Sequence, residues 1–329
     1  MQPDARHGAP HTPIVGFLNI DKPSGMTSFD VVRAVRRAAH IKRVGHAGTL
    51  DPLATGVLPV AIGGDATRLI DAFVDAAKAY TAEVTLGMET DTDDAEGTPV
   101  ATAPAGAVAA LTTEAVAAAL TTFEGEQLQF PPAYSAIKRG GIPAYRAARA
   151  GEPLDLAARP VVAHALRLVA HEGAVLRIEV DCGKGYYVRS LARDLGRLLG
   201  VGGHITALRR TRVGQFAIAR AVPLTEAVAR LEARADLDTL LHAPDAVLGG
   251  WPVVLLGVDD EAAVAQGKVV MPAMLRAATG AARVRVYGEA GHLLALAEQS
   301  GDGWHPYRVF ASQLATQGTP VPSADTAEA

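Results

Sequence analysis

LRIEVDC, residues 176–182, alternates without a break: Leu176, Ile178, Val180 and Cys182 share one face, and Arg177, Glu179 and Asp181 share the other. A period of two puts successive side chains on opposite faces of a strand, so this stretch predicts a strand with one face buried. YTAEVTLG (80–87) repeats the pattern, with Tyr80, Ala82, Val84 and Leu86 opposite Thr81, Glu83 and Thr85. Such strands belong to antiparallel or mixed sheets, because parallel strands covered on both faces read as continuous apolar runs. No regular strand-helix-strand rhythm accompanies them. The expectation is an α+β fold, a mixed or antiparallel sheet flanked by helices.

Upstream, IVGFLNI (14–20) and the run Val57 to Ile62 read as buried strands, with a helix from Ser28 to Ala39 between them. Thr27 and Asp30 have capping-box spacing at its start. Val31, Val32, Val35 and Ala39 form its apolar face, and Arg33, Arg36, Arg37 and His40 its basic one. EAVAAALTTF (114–123), VRSLARDLGRLLG (188–200) and an alanine-rich stretch from Pro223 to His242 also read as helices. QFPPAYSAIKRGGIPAYRAARAGEP (129–153) mixes prolines, glycines, tyrosines and cations, which predicts a long projecting loop with helical pieces. Loops of that length in compact domains tend to be functional. GGWP (249–252) marks a boundary, followed by a strand at Val253–Leu256, a short helix from Asp259 and strands in ARVRVYG and HLLALAE. The expected division is a disordered N-terminus (1–13), a main domain (14–245) carrying the insertion 129–153, a small β-rich module (250–312) and a disordered tail (313–329).

The 329 residues suffice for one large or two modest domains, and 49% apolar with 20% charged residues is ordinary globular usage. No run approaches bilayer length and MQPDARHGAPHTP has no signal-peptide core, so a cytoplasmic protein without membrane contact is expected. Cys182 is the single cysteine, which excludes an intrachain disulfide and leaves no second thiol for a metal. A net charge of -4 argues against a generally basic binder, yet the cations cluster. Beyond the first helix they recur at Lys138, Arg139, Arg146 and Arg149, at Lys184, Arg189, Arg193 and Arg197, and at Arg209, Arg210 and Arg212. METDTDDAEG (88–97) concentrates acid, which predicts a surface patterned into regions of opposite sign.

GHAGTLDPLATGVLPVAIG (45–63) sets one histidine and one aspartate in a glycine-rich loop that turns apolar. The chain contains no G-x-x-x-x-G-K-[ST], no G-x-G-x-x-G after a strand, no H-E-x-x-H and no G-x-S-x-G. His46 and Asp51 stand five apart, a spacing that specifies no metal. Asp51 is either a turn-former before Pro52 or a carboxylate presented by the loop. A presented carboxylate suits attack on, or electrostatic support of, an electron-poor anomeric carbon, and needs a cationic partner to stay ionised.

That loop, with LNIDKPSGMTSFDVV, KAYTAEVTLGMETDTDDAEG, FPPAYSAIKRGGIPAYRAAR and CGKGYYVRSLARDLGRLLGVGGHITALRRTRVGQF, resembles the bacterial TruB family of tRNA pseudouridine synthases, which act on uridine 55 of the T loop. The likeness runs in order from about residue 14 to 216, and GVDDEAAVAQGKVV and RVYGEAGHLLALAE resemble the family's PUA-like domain. The resemblance implies the pseudouridine synthase fold. It places Asp51 on the catalytic aspartate of G-H-x-G-x-L-D-P-x-A-x-G, Arg189 on the arginine that pairs with it and depresses its pKa, and Tyr80 on the tyrosine that stacks on the target base. Tyr187 and Leu208 fall on pocket residues, His46 on a histidine that holds the loop opened by base extrusion, and Lys22 on a lysine near the site. Asp94 falls on an acidic position to which no role is assigned. Taken singly, each has a plainer alternative: a core aromatic or aliphatic, a surface cation, a turn residue.

A uridine stacked inside a T loop must be extruded before its glycosidic bond is reachable. The implied partner is the tRNA T stem-loop, recognised by shape and phosphates and gripped by Arg33, Arg37, Lys138 and Arg146, with the PUA-like module extending the grip towards the acceptor stem. Isomerisation needs no cofactor and no metal, and a monomer is expected. Whether Asp51 attacks C1′, adds to the base or removes a sugar proton stays open. Three alternatives stand beside this one: an RNA-folding chaperone without chemistry, a guide-RNA-dependent homologue of the dyskerin type, and a glycosidase, for which no second carboxylate is placed as general acid.

Overall fold

The computed structural model describes residues 14–270, 281–301 and 303–314; the expected disordered N-terminus (1–13) and the expected tail beyond residue 314 lie outside the described residues. The first half of the chain forms β1 (Gly16–Lys22), α1 (Ser28–Ala39), β2 (Val44–His46), β3 (Thr55–Ile62), α2 (Gly64–Arg68), α3 (Ile70–Val74) and β4 (Lys78–Leu86). A ribbon of β5 (Met88–Thr90) and β6 (Pro99–Thr102), then α4 (Thr113–Thr121) and β7 (Gly125–Gln129), lead into the insertion. The insertion holds a two-residue hairpin, β8 (Lys138–Arg139) and β9 (Ile142–Pro143), and α5 (Ala144–Arg149). β10 (Arg159–Glu172), β11 (Val175–Cys182), α6 (Val188–Leu198), β12 (Gly203–Val213), β13 (Phe216–Ala217), β14 (Val222–Pro223), α7 (Leu224–Ala233) and α8 (Leu237–Leu240) follow. The C-terminal module comprises β15 (Val253–Leu255), α9 (Val258–Ala265), β16 (Arg283–Tyr287), β17 (Leu293–Ser300) and β18 (Gly303–Leu314), the last running two residues past the expected end at 312.

The two alternating strands pair directly. Tyr80 stands opposite Val180, Ala82 opposite Ile178 and Val84 opposite Leu176, so the apolar faces of β4 and β11 coincide in the core. They lie inside a ten-stranded sheet of order β14-β1-β3-β12-β4-β11-β10-β7, with β2 on β3 and β13 on β12. β1–β14 and β3–β12 are parallel and the other pairs antiparallel. The sheet is therefore mixed and flanked by helices, as the alternation predicts.

α1 has the expected bounds. The Thr27 hydroxyl accepts from Asp30 N at 3.1 Å and the Asp30 carboxylate accepts from Thr27 N at 2.9 Å, closing the capping box, while Val31, Val32, Val35 and Ala39 are buried. The expected helix from Pro223 to His242 is broken instead. Arg234 (φ 54) and Asp236 (φ 50) adopt left-handed backbone, which ends α7 and resets the chain before α8.

β15 to β18 form a second sheet in that order, a small β-rich C-terminal domain with its own core. It is not a loose appendage. Tyr287, Leu293, Leu296 and Phe310 share a buried cluster with Phe17, Val57, Phe73 and Phe216 of the main sheet, and the Tyr287 hydroxyl donates to the Asp245 carboxylate at 2.5 Å. No helix among the described residues is long and apolar enough to cross a membrane.

α6 reaches β12 through bare backbone, since a Cβ on Gly196 would fall inside the van der Waals envelope of Gly202 and Gly203. Gly196→Ala removes a helical glycine, worth about 1 kcal/mol of helix propensity. It also overpacks a backbone contact, at about 1–3 kcal/mol. The expected outcome is a net loss of stability, read as a lower urea midpoint; a raised midpoint would show that α6 can retreat from the sheet.

Candidate functional site

The loop 47–54 carries Asp51 between β2 and β3, and neighbouring segments fix it on three sides. Ser28 at the start of α1 accepts from Leu50 N at 2.8 Å and donates to Leu50 O at 3.1 Å. Gly25 N donates to Pro52 O at 2.9 Å, and Ser24 Oγ to Leu53 O at 3.2 Å. From beneath, Arg210 of β12 donates from Nε to Val57 O at 2.7 Å, from Nη1 to Thr49 O at 3.3 Å and from Nη2 to Gly48 O at 3.0 Å. The loop's own turn closes with Ala54 N on Asp51 O at 3.1 Å. With the backbone held, the Asp51 side chain leaves from a fixed point, and it remains 32% exposed.

Arg189 meets it from α6. Its Nε lies 2.9 Å from Asp51 Oδ2 and its Nη2 donates to Oδ1 at 3.2 Å. Arg189 is only 4% exposed and binds three further groups on two further segments: Thr92 O at 2.8 Å, Tyr134 O of the insertion at 2.8 Å, and the Asp94 carboxylate at 3.6 Å. Asp94 is itself fixed by Thr92 Oγ1 at 2.6 Å and Glu96 N at 3.0 Å, so the position left without a role in the sequence shares the guanidinium with Asp51. A forked guanidinium between two carboxylates sets direction as well as charge.

A cavity of about 320 Å³ opens beside the pair, lined by Asp51, Tyr80, Tyr187, Arg189 and Leu208. These five expected site residues, drawn from four separate elements, meet there. Two others do not. Lys22 is fully buried, and its ammonium donates to Pro23 O (2.8 Å), Met26 O (2.7 Å) and Pro52 O (3.3 Å), so it braces the loop from behind rather than facing the cavity. Burial draws its pKa down to about 8, with the Asp51 charge opposing that fall. His46 sits on β2 outside the cavity lining, and burial and then the Arg210 charge lower its basicity. Lys78, Ser135, Tyr186 and Arg210 line the cavity without having been singled out for it from sequence. Arg210 was legible only as one cation in a basic run; it is 1% exposed.

Several cations expected to form basic surface are instead paired. Glu89 binds Arg197 at 2.7 Å and Asp93 binds Arg193 at 2.9 Å, while Arg209 pairs with Asp21 and Arg212 with Asp181. Within the acidic stretch 88–97, Glu89, Asp93 and Asp94 meet arginines of α6, while Asp91 and Glu96 are exposed. Arg33, Arg37, Lys138 and Arg146 are exposed, Arg33 with Asp30 as a partner. Among the described residues no group of three or more His, Cys, Asp and Glu side chains could hold a metal ion.

The expected depression of the Asp51 pKa is not what the surroundings produce. Burial pushes its carboxyl above the ordinary range, Asp94 adds to the push, and the Arg189 and Lys22 charges only partly reverse it. Desolvation of the charged form outweighs a single strong partner that Asp51 shares with a second carboxylate. An upward shift delays ionisation, so followed by ¹³C NMR the Asp51 carboxyl is expected to titrate above the usual aspartate range. In Asp94→Asn, which removes the like charge and leaves Arg189 to Asp51 alone, the titration should move to lower pH; no movement would mean that Asp94 is electrostatically remote.

Residues 36–188 match the TruB family pseudouridylate synthase N-terminal domain, and residues 189–248 match the tRNA pseudouridylate synthase B C-terminal domain. The chain is 47% identical over 302 residues to a protein of Aromatoleum aromaticum named tRNA pseudouridine synthase B, covering 92% of this chain and 94% of that one. A protein of the same name from Thermobifida fusca is 42% identical over 304 residues, 90% of this chain and 98% of the relative. Among solved structures, a Cbf5-Nop10-Gar1 complex contains a chain that superposes with a TM-score of 0.71 at 26% identity, over 91% of this chain and 85% of that one.

Proposed function

The chain belongs to the TruB family of pseudouridylate synthases, and on that premise we propose that it is a tRNA pseudouridine synthase whose target is uridine 55 of the T loop, with Asp51 as the residue on which turnover depends. The observation that carries this reading is the carboxylate of Asp51, presented at the cavity wall by a braced loop and directed by a buried arginine at 2.9 Å.

The chemistry follows from what the cavity offers. A base flipped out of a stacked loop loses its neighbours, and the faces of Tyr80 and Tyr187 with the Leu208 side chain replace part of that stacking. The bond between C1′ and N1 breaks, the uracil turns while enclosed, and C5 rejoins C1′. Asp51 lies where it can meet the electron-poor C1′ or its neighbourhood, and Arg189 keeps it aimed. In this reading the exposed cations of α1 and the insertion, Arg33, Arg37, Lys138 and Arg146, take phosphates of the RNA, and Ser135 and Ala136 of the insertion form part of the cavity wall.

A guide-dependent role is favoured by the likeness to a chain of an H/ACA RNP bound to a substrate RNA, at 25% identity and a TM-score of 0.69. The relatives named tRNA pseudouridine synthase B, at 41–47%, favour action on tRNA without a guide. The test is a T-loop transcript incubated with protein alone. Wild type is expected to convert uridine 55, and Asp51→Asn to lose about a thousandfold or more in turnover while still binding the RNA. Near-normal turnover by Asp51→Asn would refute the aspartate assignment, and conversion only with added guide would favour the other reading. Affinity is expected to fall steeply between 50 and 200 mM salt as phosphate contacts release counterions, roughly tenfold for each one to three phosphates engaged.

A further inference from the structure

Arg210 is the buried cation at the cavity that faces no carboxylate. Arg189 and Arg193 are buried too, but each meets an aspartate. Lys22 is buried behind Asp51 and outside the cavity lining. Arg210 binds three backbone carbonyls, forms no ion pair among the described residues, and lines the cavity floor beside Tyr80 and Leu208. Its charge is felt widely: it lowers the proton affinity of Lys22, His46 and Lys78 and pulls down that of the Tyr80 hydroxyl, which burial otherwise raises. A full positive charge held dry and rigid under a reaction cavity is costly unless negative charge appears there.

The isomerisation generates such charge. When the C1′–N1 bond breaks, its electron pair leaves with N1, and the uracil becomes an anion delocalised over N1, O2 and O4. The ribosyl carries the complementary positive charge towards Asp51. When C5 gives a pair to C1′, C5 later loses its proton and N1 takes one up, so the sum is an isomerisation. We propose that Arg210 is a positioning residue for the departing base, setting a fixed positive potential in the cavity floor, partly through the Tyr80 hydroxyl, that stabilises the detached uracil anion. This rests on the function proposed above and adds to it the means by which the leaving base is held.

The test is the dependence on leaving group. Wild type, Arg210→Lys and Arg210→Met are compared in single turnovers on T-loop RNA carrying uridine or 5-fluorouridine at the target, followed as loss of the N-glycoside. 5-Fluorouracil is the weaker base and needs less help to depart. Arg210→Met is expected to slow the uridine reaction by about a hundredfold and the 5-fluorouridine reaction by less than about tenfold, while Arg210→Lys keeps the wild-type ratio. Equal slowing of both substrates would reduce Arg210 to a brace for the loop and overturn the proposal. If Arg210→Met fails to fold, ¹⁹F NMR decides on wild type bound to RNA carrying 2′-fluoro-5-fluorouridine, whose 2′-fluorine blocks cleavage. The bound base should ionise at lower pH than in free RNA, and an unchanged or higher value overturns the proposal. Failure of wild type to convert the T-loop uridine at all would instead sink the function on which this inference rests.

Discussion

The contact between Arg189 and Asp51 depends on a guanidinium that four stretches of chain share. Asp51 comes from the loop before β3, Thr92 and Asp94 from the acidic turn, Tyr134 from the insertion, and Arg189 itself from the first turn of α6. A buried arginine with unmet donors is expensive, so each acceptor is held in place by the penalty that would follow its loss. Arg193, one helical turn on, repeats the arrangement with Asp93 and with Phe130 O at 3.0 Å. α6 is therefore less a surface helix than a row of cations reaching under loops that have little regular structure of their own.

Beneath the same loop the logic inverts. There the polypeptide supplies carbonyl oxygens, and the cations Lys22 and Arg210 collect them: three on the ammonium and three on the guanidinium. Gly56, at φ 99 and opposite Arg210 in register, allows β3 and β12 to approach closely enough for the guanidinium to enter the loop. Irregular backbone buried near a reaction cavity needs partners for its polar groups, and side-chain cations provide them where a sheet ladder cannot.

What the amino-acid sequence revealed follows from which forces act locally. α1 was legible to the residue because its periodicity and capping box lie within thirteen residues, and β4 and β11 were legible because their alternation is unbroken. β10 and β12 were not. Each carries two register shifts, at Ala163/Ala165 and Leu168/Ala170 and at Ile205/Ala207 and Arg210/Arg212, and each shift resets the alternation that would have announced a strand. The same blindness hid Arg210, since a cation inside LRRTR reads as solvated surface unless the carbonyls it meets, more than 150 residues earlier, are known. The motifs associate Lys22 and His46 with the site, and both lie near the Asp51 loop, but a motif does not say which side of a loop a side chain occupies.

The Tyr134 carbonyl ties the insertion to α6. Because the insertion lends an acceptor to the guanidinium that aims Asp51, any force bending residues 130–136 away from α6 is transmitted to the carboxylate through one shared side chain. The insertion and the acid thus have one side chain as common partner, so a change in the path of that outlying segment alters the set of acceptors around Arg189 and with it the seat of the carboxylate.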